Sequence, residues 1–125
     1  VSLFNAVTGN ASEVDAKKIG EEFAYLLAPG ERVERAYKLV RDLILLTDKR
    51  LVLIDKQGLT GRKTAFHSIP YRAITQFSVE TAGTMDLDSE LKVWISGGSG
   101  PLEVTLARGV NVREVQAVLA AYVLG

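Results

Sequence analysis

Two short apolar runs, Leu43-Ile-Leu-Leu46 and Leu51-Val-Leu-Ile54, constrain this chain more than any other feature. Four residues separate them, and Asp48-Lys49 at the centre suits a tight hairpin turn. The pattern predicts strands over Leu43–Thr47 and Arg50–Asp55. An antiparallel strand with one wet face alternates apolar and polar residues, and these two do not. Something therefore covers both faces: the interior of a barrel on one side and a further layer on the other. That layer is either an N-terminal helix of the same chain or a neighbouring copy. Leu43, Leu45, Leu51 and Leu53 are accordingly the candidate oligomer or partner surface.

The flanking segments read in the same register. Residues 12–27 predict a helix, with Ser12 and Asp15 as a near capping box and Val14, Ile19, Phe23, Leu26 and Leu27 largely on one side. Gly20 inside that helix suggests a close neighbour, and Pro29-Gly30 stops it. Residues 31–41 fit either a helix or a strand. Lys63–Ile69 reads as a strand ended by Pro70. Phe77 and Val79, then Leu91, Val93 and Ile95, then Leu102, Val104 and Leu106, alternate with polar neighbours as half-buried antiparallel strands. Trp94 falls on the opposite face from Val93 and Ile95, which places it at a sheet surface and adds it to the candidate subunit contact. Asn111, with Glu114 three residues on, starts a closing helix whose stripe is Val115, Val118, Leu119 and Tyr122. About seven strands and a closing helix predict a bent antiparallel barrel plugged at one end. No linker or repeat divides the 125 residues, which read as one domain: an N-terminal helical part over 1–29, and the barrel with its helix over 30–125.

Charge narrows the classes of partner. Fifteen Lys/Arg balance fifteen Asp/Glu, and a neutral chain argues against bulk nucleic-acid binding. The distribution is uneven, with ten bases against four acids over residues 32–72 and one against five over 73–103. Such segregation suits a local anion site or a head-to-tail contact between copies. The candidate anion-binding residues are Lys49, Arg50, Lys56, Arg62, Lys63 and Arg72. With no cysteine there is no disulfide frame and no thiolate ligand, and a reducing compartment is compatible with that. Val1–Val7 has neither a basic start nor a long apolar stretch, and no run approaches a membrane span. A cytoplasmic location is the expectation.

Several motifs fall short of the patterns they resemble. Gly58-x-x-Gly61-Arg62-Lys63 has two residues between its glycines where a phosphate loop needs four, and it lies between strands. It reads as a hairpin turn. Asp86-x-Asp88-x-Glu90 opens like a calcium loop, but Leu91 stands where that loop needs glycine. His67 is the only histidine, and Ser68 beside it in a strand points the opposite way, so His67, Ser68 and Asp48 make a poor triad. No catalytic set, metal site or cofactor site is expected.

The run Arg41–Gly58, together with His67-Ser-Ile-Pro-Tyr71, Phe77-Ser-Val-Glu-Thr-Ala-Gly83 and Asp86-Leu-Asp-Ser-Glu-Leu-Lys-Val-Trp-Ile95, resembles the bacterial pleckstrin-homology family, largely of unknown function. The early Asn10-Ala-Ser-Glu-Val-Asp15 belongs to the same likeness, which spans nearly the whole chain. It implies a mainly β, PH-like barrel of two near-orthogonal antiparallel sheets with a C-terminal capping helix, and it resolves residues 31–41 as a strand. It also implies a homo-oligomeric ring, a pentamer in related domains. The lipid-binding eukaryotic relatives carry their bases on a long loop between the first two strands. Here that connection is Val40-Arg41-Asp42-Leu43, so the inositol-phosphate site does not carry over.

The sequence therefore predicts a non-catalytic, self-assembling scaffold or protein-binding module. Its partners would be copies of itself and another protein, with weak or no membrane contact. The alternative is a peripheral domain that binds anionic lipid or another anion through its basic strand and turn surface.

Overall fold

The structure, a computed structural model, describes residues 10–39, 42–57, 62–81, 88–107 and 109–125. Eight strands form one continuous order, β5-β4-β3-β2-β1-β8-β7-β6. They are β1 (Asn10–Val14), β2 (Val33–Lys38), β3 (Leu43–Thr47), β4 (Arg50–Gln57), β5 (Lys63–Pro70), β6 (Ile74–Glu80), β7 (Ser89–Ile95) and β8 (Leu102–Leu106). Helix α1 (Ala16–Glu22) and a 3-10 turn (Ala24–Leu26) lie between β1 and β2, and α2 (Val112–Val123) closes the chain. Among the described residues no helix is long and apolar enough to cross a membrane.

The N-terminal segment corrects the expected helix over 12–27. Residues 12–14 belong to β1, which runs antiparallel to β2 and parallel to β8. β1 is the eighth strand, and it joins the β2–β5 half of the sheet to the β6–β8 half. The helix cap is Asp15, not Ser12: its carboxylate accepts from Lys17 N at 2.9 Å and Lys18 N at 3.4 Å. Ser12 instead lies opposite Lys38 in the ladder. At Gly20 a Cβ would come 3.7 Å from the Val33 side chain, an ordinary contact, so nothing demands glycine there.

The hairpin pairs as its turn requires, Leu46 with Leu51 and Leu43 with Ile54. The Thr47 hydroxyl accepts from both Lys49 N and Arg50 N, closing the turn around Asp48-Lys49. Ile44, Leu46, Leu51 and Leu53 then face the barrel interior, packed with Tyr37, Leu91, Val93, Leu102, Leu106, Val115 and Leu119.

The opposite face of the hairpin settles the question its sequence raises. Leu43, Leu45, Val52 and Ile54 form a second cluster with Phe23 and Ala36, flanked by Val14, Ile19, Leu26 and Val33. The α1 segment is a strap across the outside of the sheet. Leu43 is 6% exposed, and Leu45, Leu51 and Leu53 are fully buried within one chain. These four leucines therefore do not form an oligomer surface, because the chain covers both faces itself. Each such side chain removed from water contributes about 1.5–3 kcal/mol.

Helix α2 begins at Asn111, whose side chain accepts from Arg113 N and Glu114 N. Val115 and Leu119 are its buried residues. Arg35 ties the helix to the sheet, reaching Glu13 at 2.9 Å and Glu114 at 2.7 Å. Tyr122 stacks on Tyr71 with centroids 5.4 Å apart, and its hydroxyl donates to Glu34.

Candidate interaction surface

The six predicted anion-binding residues do not gather into one patch. Arg50 is committed elsewhere. Its Nε donates to Glu31 Oε2 at 2.9 Å and one terminal nitrogen to Glu31 Oε1 at 3.0 Å. It also donates to the Leu26 carbonyl and to Ser68 Oγ. Glu31 has a side chain only 1% exposed, and it additionally accepts from Thr47 Oγ1 at 2.6 Å and Ala28 N at 2.8 Å. Burial alone pushes the Glu31 carboxyl up. The hydrogen bonds from Arg50, Thr47 and Ala28, with the guanidinium charge, outweigh it and hold the group at about 2. Arg50 is thus a structural clamp that fastens the strap to the β3–β4 hairpin, and a bound anion would have to compete with Glu31 for it.

The remaining five are exposed and make no ion pair with a described carboxylate, but they fall into two groups. Lys49 and Arg72 sit at the end of the β4–β5 ladder where Arg50 faces Pro70. Lys56, Arg62 and Lys63 sit at the other end, where Lys56 faces Thr64 and Gln57 faces Lys63. Those ends are about 23 Å apart at about 3.3 Å per residue. Residues 58–61 of the glycine turn lie outside the described residues.

What the fold leaves open is the sheet's two ends. β5 pairs with β4 alone and β6 with β7 alone among the described residues. Edge strands present unpaired backbone donors and acceptors, a template for another chain. The β5 end is basic, flanked by Arg62 and Lys63. The β6 end is acidic, with Glu80 opposite Glu90. β5 also carries an aromatic platform that the sequence reading missed. Phe66, on the outward row with Thr64 and Ser68, is 40% exposed and meets Tyr25 edge-on at 6.1 Å. Tyr25, on the strap's 3-10 turn, is 73% exposed. The strand pattern places Phe66 opposite Ile54, but nothing local brings Tyr25 to it across forty residues of chain.

Trp94 stands beside the other edge, opposite Gln76 on the outer row with Lys92. It is half-buried and belongs to neither core cluster.

The three residues of the candidate triad have other settings. His67 lies on the inward row of β5 opposite Leu53, while Ser68 faces outward opposite Val52 and accepts from Arg50. The Asp48 carboxylate accepts from Arg32 N and pairs with Arg32. Of the calcium-like stretch, Asp86 and Leu87 lie outside the described residues, and Glu90 accepts from Thr105 Oγ1.

Comparison with known proteins gives a consistent picture. The bacterial PH domain family matches residues 2–123. The uncharacterized protein YjqA of Bacillus subtilis is 52% identical over 122 residues, covering 97% of this chain and 98% of its own. A crystal structure of a DUF1696 family protein with a pleckstrin-homology domain, from Shewanella loihica, superposes with a TM-score of 0.82. It is 46% identical, over 93% of this chain and 99% of that one. A pleckstrin homology domain from Shewanella amazonensis is 53% identical with a TM-score of 0.71, over 99% and 100% of the two chains.

Proposed function

The chain belongs to the bacterial PH domain family, and from that premise we propose that it is a non-catalytic interaction module that assembles with copies of itself, head to tail, into a ring. What supports this reading is the pair of open sheet edges of opposite charge, basic at β5 and acidic at β6. The doubly apolar hairpin does not contribute to it, because the strap covers its outer face. A β5-to-β6 contact is heterologous, and such contacts close into rings when the rotation per subunit permits. Backbone pairing supplies the affinity, and the charges set direction and exclude β5-to-β5 contacts. Light scattering on the parent and on a Ser78→Lys/Glu80→Lys variant tests it: the variant makes the β6 edge basic and lowers the mass.

A second reading rests on Lys56, Arg62 and Lys63, exposed together and without described carboxylate partners. Near an anionic bilayer each contributes about 1 kcal/mol, too little for one chain to dock stably. A ring multiplies that attraction through avidity. Co-sedimentation with anionic liposomes, parent beside Arg62→Ala/Lys63→Ala, separates it from pure protein binding.

A further inference from the structure

We infer that the β6 edge, beside helix α2, is a docking site for an extended segment of another protein that alternates basic and aliphatic residues and adds to the sheet as a further strand. The inference rests on the reading of β6 as a contact edge, and it names a partner chemistry that a copy of this chain matches poorly.

Three observations converge there. Among the described residues, the backbone of Gln76–Glu80 pairs with β7 and with no other element. That stretch is about 17 Å long at about 3.4 Å per residue, enough to template a short strand. Next, the inner row of β6 is apolar and incompletely covered. Phe77 and Val79 lie opposite Val93 and Leu91, and both are half-buried against the core that α2 covers with Val115 and Leu119. An added strand continues this row beside α2, so its inward residues are aliphatic.

The outer row asks for the opposite chemistry. Gln76, Ser78 and Glu80 are exposed, and the row ends with Glu80 directly opposite Glu90. Like charges so placed destabilise a sheet. The neighbouring cation on β7, Lys92, is paired with Glu103 at 3.6 Å, so a lysine or arginine on the added strand supplies the countercharge. Side chains alternate between the faces of a strand, and a basic–aliphatic repeat therefore satisfies both rows at once. Backbone bonds give the affinity and the two rows the specificity.

A neighbouring copy's β5 is a poorer complement. Its inward row runs Lys63, Ala65 and His67, opposite Gln57, Asp55 and Leu53 of β4. A lysine and a histidine would then continue the row of Phe77 and Val79. The partner segment accordingly competes with a neighbouring copy for β6 and limits the growth of the assembly.

The probe is a fluorescein-labelled heptapeptide, Thr-Lys-Val-Lys-Val-Lys-Thr, read by anisotropy, with light scattering in parallel. Three control peptides carry glutamate for lysine, serine for valine, or N-methyl groups at alternate residues. The account expects one peptide bound per chain and no binding of any control. Hydrogen exchange, read by mass spectrometry, should slow over residues 76–80 as the peptide saturates. Glu80→Lys should weaken binding about tenfold or more and admit the glutamate peptide. Glu80 is exposed, so circular dichroism should be unchanged in that variant. No binding at millimolar peptide, equal binding of any control, or protection only outside residues 76–80 overturns the inference. Binding unchanged in Glu80→Lys overturns it too. A monomeric parent that binds the peptide with these dependences supports the β6 site while defeating self-assembly. An oligomeric parent that ignores the peptide does the reverse.

Discussion

Arg50 and Glu31, nineteen residues apart, close on each other through two parallel hydrogen bonds at 2.9 and 3.0 Å. Because Arg50 also reaches the Leu26 carbonyl, this pair fastens the strap over the hairpin's outer face. Breaking one half of a buried pair leaves the other charged and unmatched, at a cost of about 3–5 kcal/mol. Arg50→Met and Glu31→Ala are each predicted to lower unfolding free energy by about that amount in urea titrations. Lys49→Ala, one residue away and exposed, should change it by less than about 0.5 kcal/mol.

The same pair predicts a pH dependence. Glu31 is held near 2 in the fold against 4.5 ordinarily, so the native state favours the charged form. Its contribution is fully present above about pH 4.5 and is lost as pH falls through about 2. The size is on the order of 3 kcal/mol. Stability measured from pH 5 to pH 2 should fall less steeply in Glu31→Gln than in the parent. Equal slopes would mean that other carboxylates carry the acid sensitivity.

Phe23 anchors the strap from the apolar side, 6% exposed over Leu43, Leu45, Val52 and Ile54. Phe23→Ala should cost about 3–5 kcal/mol. It should also raise binding of a hydrophobic dye before global unfolding, since the strap's loss uncovers an apolar sheet face. Dye binding that appears only with the unfolding transition would argue that strap and barrel melt together.

Tyr71 donates its hydroxyl to the Thr47 carbonyl at 2.6 Å, in a buried setting. Tyr71→Phe keeps the stack on Tyr122 and deletes only that bond, so about 1 kcal/mol of stability should go. Denaturant midpoints compare the two proteins directly.

How far these features show in the sequence depends on how local their causes are. The hairpin, the alternating strands β7 and β8 and the Asn111 cap are visible because period, turn and cap are near-neighbour effects. β1 is not. Apart from Val14 its residues carry small or polar side chains, and its partner β8 begins more than eighty residues later. Meanwhile Val14, Ile19, Phe23 and Leu26 mimic a helical stripe because strand and helix bury the same side. The apolar hairpin correctly announces a second covering layer, but its composition does not say whose chain supplies it. Arg50 reads as one more surface base until the fold brings Glu31 beneath it, and the Tyr25–Phe66 platform likewise exists only once the strap lies across the sheet.

The central claim is that open edges of opposite charge bring copies of this chain together, and mass in solution tests it most directly. Light scattering at tens of micromolar protein, in low and in high salt, should give a multiple of 13.6 kDa larger than a dimer. High salt should loosen the assembly only partly, since screening weakens the charges and leaves backbone pairing. A mass of 13.6 kDa under both conditions would contradict the account and leave β5 and β6 as edges for other proteins alone.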